Sequence, residues 1–220
     1  MSHATLHRRL TQRLIPPGDW RADAGPARSD FDLNPGMDRS GNPLRPAAVL
    51  VPIVAHDTGA TVILTRRADT LSSHRGQIAF PGGRLDGAET AVQAALREAN
   101  EEIGLDPAAV EILGLGDAYE TGTGFLMTPV VGWLNHTPIM TASPAEVADI
   151  FETPWDFLMD VANHRREQYE LPDGPPRQFW SMPWQDRYIW GATAGVIRAL
   201  HGRLYGEEAD CIRAEAEDAA

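Results

Sequence analysis

Apolar residues near the start of the chain recur every fourth position. Leu6, Leu10 and Leu14 lie on one stripe, which predicts a short amphipathic helix over residues 5–14. From there to Pro46 the pattern is broken by Pro16-Pro17-Gly18, Asn34-Pro35-Gly36 and Asn42-Pro43, and the segment reads as loop. Such a long arm is expected to wrap the core, cross to a partner subunit or stay partly mobile. Continuous apolar runs at 47–55 and 61–65, joined across Asp57-Thr58-Gly59, read as two strands. Further strands are predicted at 110–115, 125–134 and 146–152. A helix is predicted over 88–103, entered from Pro81-Gly82-Gly83 and stopped by Gly104. Its apolar stripe would be Val92, Ala95, Leu96, Ala99 and Ile103. Thr153-Pro154-Trp155-Asp156 has the form of a capping box with proline at the first helical position, predicting a helix to about residue 163. A last helix is expected over 192–205, ended by Gly206. Strands and helices without strict alternation, and with no internal repeat, indicate an α/β or α+β sandwich.

Composition narrows the function. With 220 residues and 43% hydrophobic content, the chain fits one domain with a full core. It divides into an N-terminal helix and arm (1–43), a main domain (44–206) and an acidic tail (207–220). Acidic residues outnumber basic ones 31 to 19, for a net charge of −12. That balance argues against coating nucleic acid, where clustered cations dominate binding, yet it leaves room for a phosphorylated small molecule held through metal ions. Every basic residue is arginine, which removes lysine Schiff-base chemistry and the P-loop lysine. The single cysteine, Cys211, allows no intrachain disulfide and suits a cytoplasmic setting. The longest apolar run, 47–55, is far short of the roughly 20 residues needed to span a bilayer. Arg8, Arg9 and Arg13 are followed by no apolar segment of the kind a signal peptide carries. No membrane partner is expected.

The chemistry concentrates in the 88–103 helix. Glu98, Glu101 and Glu102 stand at i, i+3 and i+4, so their carboxylates crowd one face beside the apolar stripe. Like charges so placed repel, and a divalent cation relieves them, since Mg²⁺ prefers carboxylate oxygen. Glu89 and Arg97, two turns apart, are placed to brace the preceding loop. Gly82 and Gly83 let backbone approach a metal or phosphate, and offer a carbonyl ligand. A solvated acidic helix face would explain the glutamates alone, but not their arrival together with this loop and brace.

Residues 83–105 resemble the Nudix box, G-x5-E-x7-R-E-U-x-E-E-x-G-U. The matching positions are Gly83, Glu89, Arg97, Glu98, Glu101, Glu102, Gly104 and Leu105, with Ala99 where a larger aliphatic residue is more usual. The resemblance implies an α/β/α sandwich with a mixed sheet and a loop–helix–loop catalytic box. It implies hydrolysis of a nucleoside diphosphate linked to another group, with Mg²⁺ or Mn²⁺ as cofactor. Glu98 and Glu102 would then be the primary metal ligands, aided by Gly82 and Gly83, with Glu101 a third ligand or the base. Outside the box, Glu146 and Glu120 are candidate bases; Glu146 also completes a Ser143-Pro-Ala-Glu capping pattern, whereas the family pattern prefers a strand there.

Upstream, residues 64–83 resemble the coenzyme A pyrophosphatase branch of that superfamily. Thr65, Arg67, Ala68, Gly76, Phe80, Pro81, Gly82 and Gly83 fit its signature; Ser72 stands where the signature has arginine, with Arg75 three residues on. Runs at 44–54, 121–134 and 190–200 look like the same branch. Coenzyme A would release 3′,5′-ADP and a 4′-phosphopantetheine product. Arg66, Arg67, Arg75 and Arg84 form a local basic rim suited to a multiply charged anion. His74 and Gln77 are further candidate substrate contacts, and Trp133, Trp155, Trp180, Trp184 or Trp190 could stack an adenine, although most tryptophans serve packing. The alternatives are a Nudix hydrolase of ADP-ribose or another nucleotide, and a nucleotide-sensing module without turnover. A homodimer formed through the N-terminal arm is also expected.

Overall fold

The computed structural model describes residues 1–39, 41–70, 74–171 and 175–206. In chain order the elements are α1 (His3–Arg13), β1 (Arg28–Ser29), β2 (Arg45–His56), β3 (Gly59–Arg67), β4 (Ile78–Ala79), β5 (Gly82–Arg84), α2 (Ala91–Ile103) and β6 (Glu111–Leu115). They continue with β7 (Tyr119–Glu120), β8 (Phe125–Leu134), β9 (Val147–Pro154), α3 (Trp155–Leu158), β10 (Arg165–Tyr169), β11 (Arg177–Trp184), β12 (Arg187–Trp190) and α4 (Ala192–Tyr205).

The long apolar run 47–55 becomes β2, the strand around which a mixed sheet is built. It pairs in parallel with β8 along its length and antiparallel with β3 at the hairpin end. The sheet order is β1-β7-β8-β2-β3-β4, with β5 added on β2, β6 on β8 and β9 on β3. Away from the hairpin, β2 and β3 separate. The chain enters that gap along β3 as β4, turns at Phe80-Pro81, and leaves along β2 as β5. No pairing joins β4 to β5, so the sheet forks there. The Leu50 N–H faces the fork and donates to the Pro81 carbonyl at 2.8 Å. Pro52, two residues on, faces its missing N–H the same way and costs the β8 ladder nothing.

Side-chain alternation along the strands divides the core into two layers. Val49, Val51 and Ile53 of β2, with Val131 and Trp133 of β8, pack against α1, α3, α4 and Met182 and Ile189 of the small β10-β11-β12 sheet. Ala48, Leu50 and Val54, with Ile63 and Val130, lie beneath α2. The result is the expected α/β/α sandwich over a mixed sheet.

Several local expectations change. Helix α2 begins at Ala91, not 88, because Thr90 caps it and Gln93 completes a capping box. Its buried stripe is rolled toward Ala91, Ala94, Ala95, Ala99 and Ile103, leaving Val92 and Leu96 half-buried. Small side chains let the helix sit close to the sheet. The helix expected to run to 163 is a single turn, α3. Thr153 is fully buried inside β9 opposite Val62 and caps nothing, and Asp160 starts a separate 3₁₀ turn at Val161–Asn163. No helix follows Ser143; residues 143–146 form a turn that leads into β9. The β10-β11-β12 sheet and the short β4, β5 and β7 were not anticipated. The arm wraps this chain's own core, with Ile15 bridging to Leu115 and β1 pairing with β7. Among the described residues no helix is long and apolar enough to cross a membrane. Ser72 and the acidic tail with Cys211 lie outside the described residues.

Candidate active site

The roll of α2 grades its three glutamates by depth. The Glu102 side chain is 5% exposed, that of Glu98 18% and that of Glu101 56%. Glu102 reaches into the fork of the sheet, where its Oε2 accepts the Gly82 N–H at 3.1 Å and the Arg67 guanidinium stands 3.9 Å from Oε1. Burial pushes the Glu102 carboxyl up to about 7; the Gly82 N–H and Arg67 oppose the rise, while Glu98 and Glu146 add to it. Burial likewise raises Glu98, against its hydrogen bond from Arg97 and with the charges of Glu101 and Glu146.

Arg97 anchors the surroundings. It donates to Glu89 through Nε at 2.8 Å and Nη2 at 3.0 Å, to Glu98 at 2.9 Å, to Glu101 at 3.1 Å and to the Arg84 carbonyl at 3.0 Å. The loop before the helix is thereby tied to the helix, as the spacing of Glu89 and Arg97 suggests. Glu146 arrives from elsewhere in the sequence. The Ser143 N–H donates to the Glu102 carbonyl at 2.8 Å, and the Glu146 carbonyl accepts the Ala68 N–H at 2.9 Å, so the 143–146 turn is fastened to both α2 and the end of β3. Glu120 is not brought here. It is buried on β7, beyond β8 and β2, and accepts from Ser29 at 3.1 Å and Arg39 at 2.8 Å.

The glycines act partly as expected. Gly83 is flush against Glu98, and a Cβ there would stand 2.5 Å from the carboxyl carbon. Gly82 serves first as a donor to Glu102, where a carbonyl ligand was the expectation. Gly83→Ala is expected to displace the Glu98 carboxylate and reduce turnover roughly 10²-fold with unchanged circular dichroism; wild-type kcat in that variant would show that the close approach is immaterial.

The remaining candidates spread around this cluster. His74 holds a left-handed backbone, φ +57°, and its Nδ1 meets Gln77 Oε1 at 2.8 Å within its own loop. Arg84 extends over the Phe125 ring, 5.5 Å from its centroid. Arg75 and Gln77 line a cleft together with Arg66, Asp149, Tyr188 and Trp190. No local sequence motif marks Asp149 or Tyr188 as part of it.

All the site's donors are carboxylate oxygens, the set that suits Mg²⁺ or Mn²⁺. Two raised carboxyls facing a third acid are short of positive charge. Among the described residues no group of three acids, histidines or cysteines converges closely enough to hold an ion as it stands. Arg97 holds the Glu98 and Glu101 carboxylates on its own guanidinium.

The acid cluster thus stands at a fork within the sheet on a loop–helix–loop, with Glu102 buried, Glu98 half-buried and Glu101 exposed. The family model described as NUDIX domain matches residues 44–171, and the chain belongs to the Nudix hydrolases. It is a pyrophosphohydrolase acting on a nucleoside diphosphate derivative. The Nudix hydrolase NudL of Cronobacter sakazakii is 40% identical over 175 residues, covering 76% of this chain and 87% of that protein. NudL of Pectobacterium atrosepticum is 35% identical over 187 residues, covering 84% and 96%. Among solved structures, the M. smegmatis Nudix hydrolase RenU aligns with TM-score 0.43 at 25% identity, over 54% of this chain and 76% of that one.

Proposed function

We propose that the protein hydrolyses the diphosphate of coenzyme A or an acyl-CoA to 3′,5′-ADP and a 4′-phosphopantetheine product. One observation carries this reading: the segment that resembles the coenzyme A branch, residues 64–83, is the one that encloses Glu102, bringing Arg67 within 3.9 Å and the Gly82 N–H to 3.1 Å. The four arginines of residues 66–84 suit a substrate with a phosphate beyond its diphosphate.

Glu98 and Glu102 are the residues that would hold Mg²⁺ or Mn²⁺, with Glu101 at the rim. Bound there, the ion supplies positive charge to phosphate oxygens and lowers the pKa of a coordinated water. The protein's own part is orientation. The Gly82 N–H fixes Glu102, Arg97 fixes Glu98, and Arg67 adds positive charge where the diphosphate collects negative charge. Glu146, exposed and facing both buried carboxyls, is placed to take the proton of the attacking water; the hydroxyl joins phosphorus and the P–O–P bridge breaks. Glu146→Gln is expected to lower kcat by about 10²–10⁴-fold while metal-induced stabilisation persists. Unchanged kcat would move the base elsewhere.

Chromatographic product analysis with coenzyme A, ADP-ribose and NADH, each with Mg²⁺ and Mn²⁺, tests the reading. Coenzyme A is expected to be cleaved fastest. Preference for ADP-ribose would install the first alternative, and no turnover of any would install the sensing module.

A further inference from the structure

A cleft of about 570 Å³ opens beside β4, on the sheet face opposite α2. Its size falls within the range of about 300–1,000 Å³ that holds drug-sized ligands. Tyr188 and Trp190 of β12 line one side, their ring centroids 6.3 Å apart and inclined by 34°. They lie on the outward face of the small sheet: Ile189, between them, is buried in the core. Arg66, Arg75 and Arg187 bring guanidiniums to the cleft against two carboxylates, Asp149 and Asp186. Asp149 accepts from Arg187 at 2.7 Å and Asp69 from Arg66 at 3.3 Å, which holds both guanidiniums in place with donors to spare. Three guanidiniums, two of them held by Asp149 and Asp69, beside two aromatic faces suit a flat heterocycle carrying a phosphate.

The cleft is coupled to the acid cluster through the backbone. Arg66, in its lining, precedes Arg67, whose guanidinium reaches Glu102. The Arg67 N–H donates to the Gln77 carbonyl at 2.9 Å, and the Gly76 N–H to the Arg67 carbonyl at 3.1 Å, so the cleft's Gly76 and Gln77 pair directly with that residue. Ile78 of β4 lines the cleft, while Gly82 of β5 holds Glu102; the fork between these strands separates the two places.

We infer that this cleft is the nucleoside subsite: the purine stacks at Tyr188 and Trp190 and an attached phosphate meets Arg66 and Arg75. The inference rests on the diphosphate-hydrolase reading for what occupies the cleft, but nucleotide binding is measured without turnover.

Titration calorimetry of the full chain with AMP and with 3′,5′-ADP, metal-free, is the test. Tyr188 is 40% exposed, so its replacement need not disturb the core. Tyr188→Ala is expected to weaken AMP binding about 10-fold, as loss of one stacked ring does. In turnover it should raise KM by a similar factor and leave kcat within about twofold. Tyr188→Phe keeps the ring, loses the hydroxyl that donates to Glu167 at 2.6 Å, and is expected to bind AMP as the wild type does. Equal AMP affinity in the wild type and Tyr188→Ala, or no binding of either nucleotide to the wild type, overturns the subsite. AMP binding that depends on Tyr188 in a protein that cleaves none of the three diphosphates sustains the subsite and removes the proposed function.

Discussion

Glu98→Gln is expected to leave the fold intact and lower kcat by about 10²–10⁴-fold. The substitution keeps the side chain's volume, so packing against Gly83 survives, and glutamine's carbonyl oxygen still accepts from Arg97. What disappears is one negative charge from the acid cluster, and with it an oxygen able to bind a cation strongly. The core beneath α2 is built by alanines and aliphatic residues, none of which needs Glu98. Melting temperature and circular dichroism should therefore match the wild type while Mg²⁺-dependent turnover collapses. Near-normal turnover would remove Glu98 from the site.

Metal-free stability is expected to fall as pH rises from about 5 to 7.5. An unfolded glutamate ionises near pH 4.3, whereas Glu102 in the fold holds its proton to about 7. Below the lower value both states are protonated and the group contributes nothing. Between the two values only the unfolded chain has released its proton, so raising the pH favours unfolding. Above about 7 the cost is complete, on the order of 4 kcal/mol by linkage. Glu98, raised for the same first cause, tilts the curve the same way, and Arg67, Arg97, Glu101 and Glu146 are the charged groups that face this pair. Glu89, held below the usual range by Arg97, acts at the acid end: its contribution is present above its ordinary pKa and is lost as pH falls. A divalent cation competes with the proton on Glu102, so Mg²⁺ or Mn²⁺ should raise the melting temperature more at about pH 8 than at about pH 5.5. Glu102→Gln should flatten both dependences. A melting temperature that climbs across pH 5–7 without metal would contradict the burial of this carboxyl.

The acid cluster was legible because it is local. Positions i, i+3 and i+4 share a helix face whatever surrounds the helix, whereas the pairing of Glu89 with Arg97 needs the loop before α2 to fold back along it. The depth of each glutamate was not legible. It depends on the roll of α2 against the sheet, which the alanines permit and the strands select. The Thr153 misreading has a similar origin: a short-range capping pattern lost to pairing with β3, which holds Thr153 extended and buried. Residues 165–169, Arg-Arg-Glu-Gln-Tyr, carry no apolar alternation, so their strand exists only through its pairing with β11.

The amino-acid sequence by itself determined the family, the central strands and the helix that carries Glu98, Glu101 and Glu102, since each is written in a contiguous stretch with its own periodicity or spacing. Only the tertiary structure decided which acid is buried, that Glu146 joins the cluster while Glu120 does not, and that Arg66, Arg75, Tyr188 and Trp190 share one cleft. Those outcomes depend on contacts between residues far apart in the chain, and no local pattern encodes the angle at which a helix meets a sheet or the place where a sheet forks.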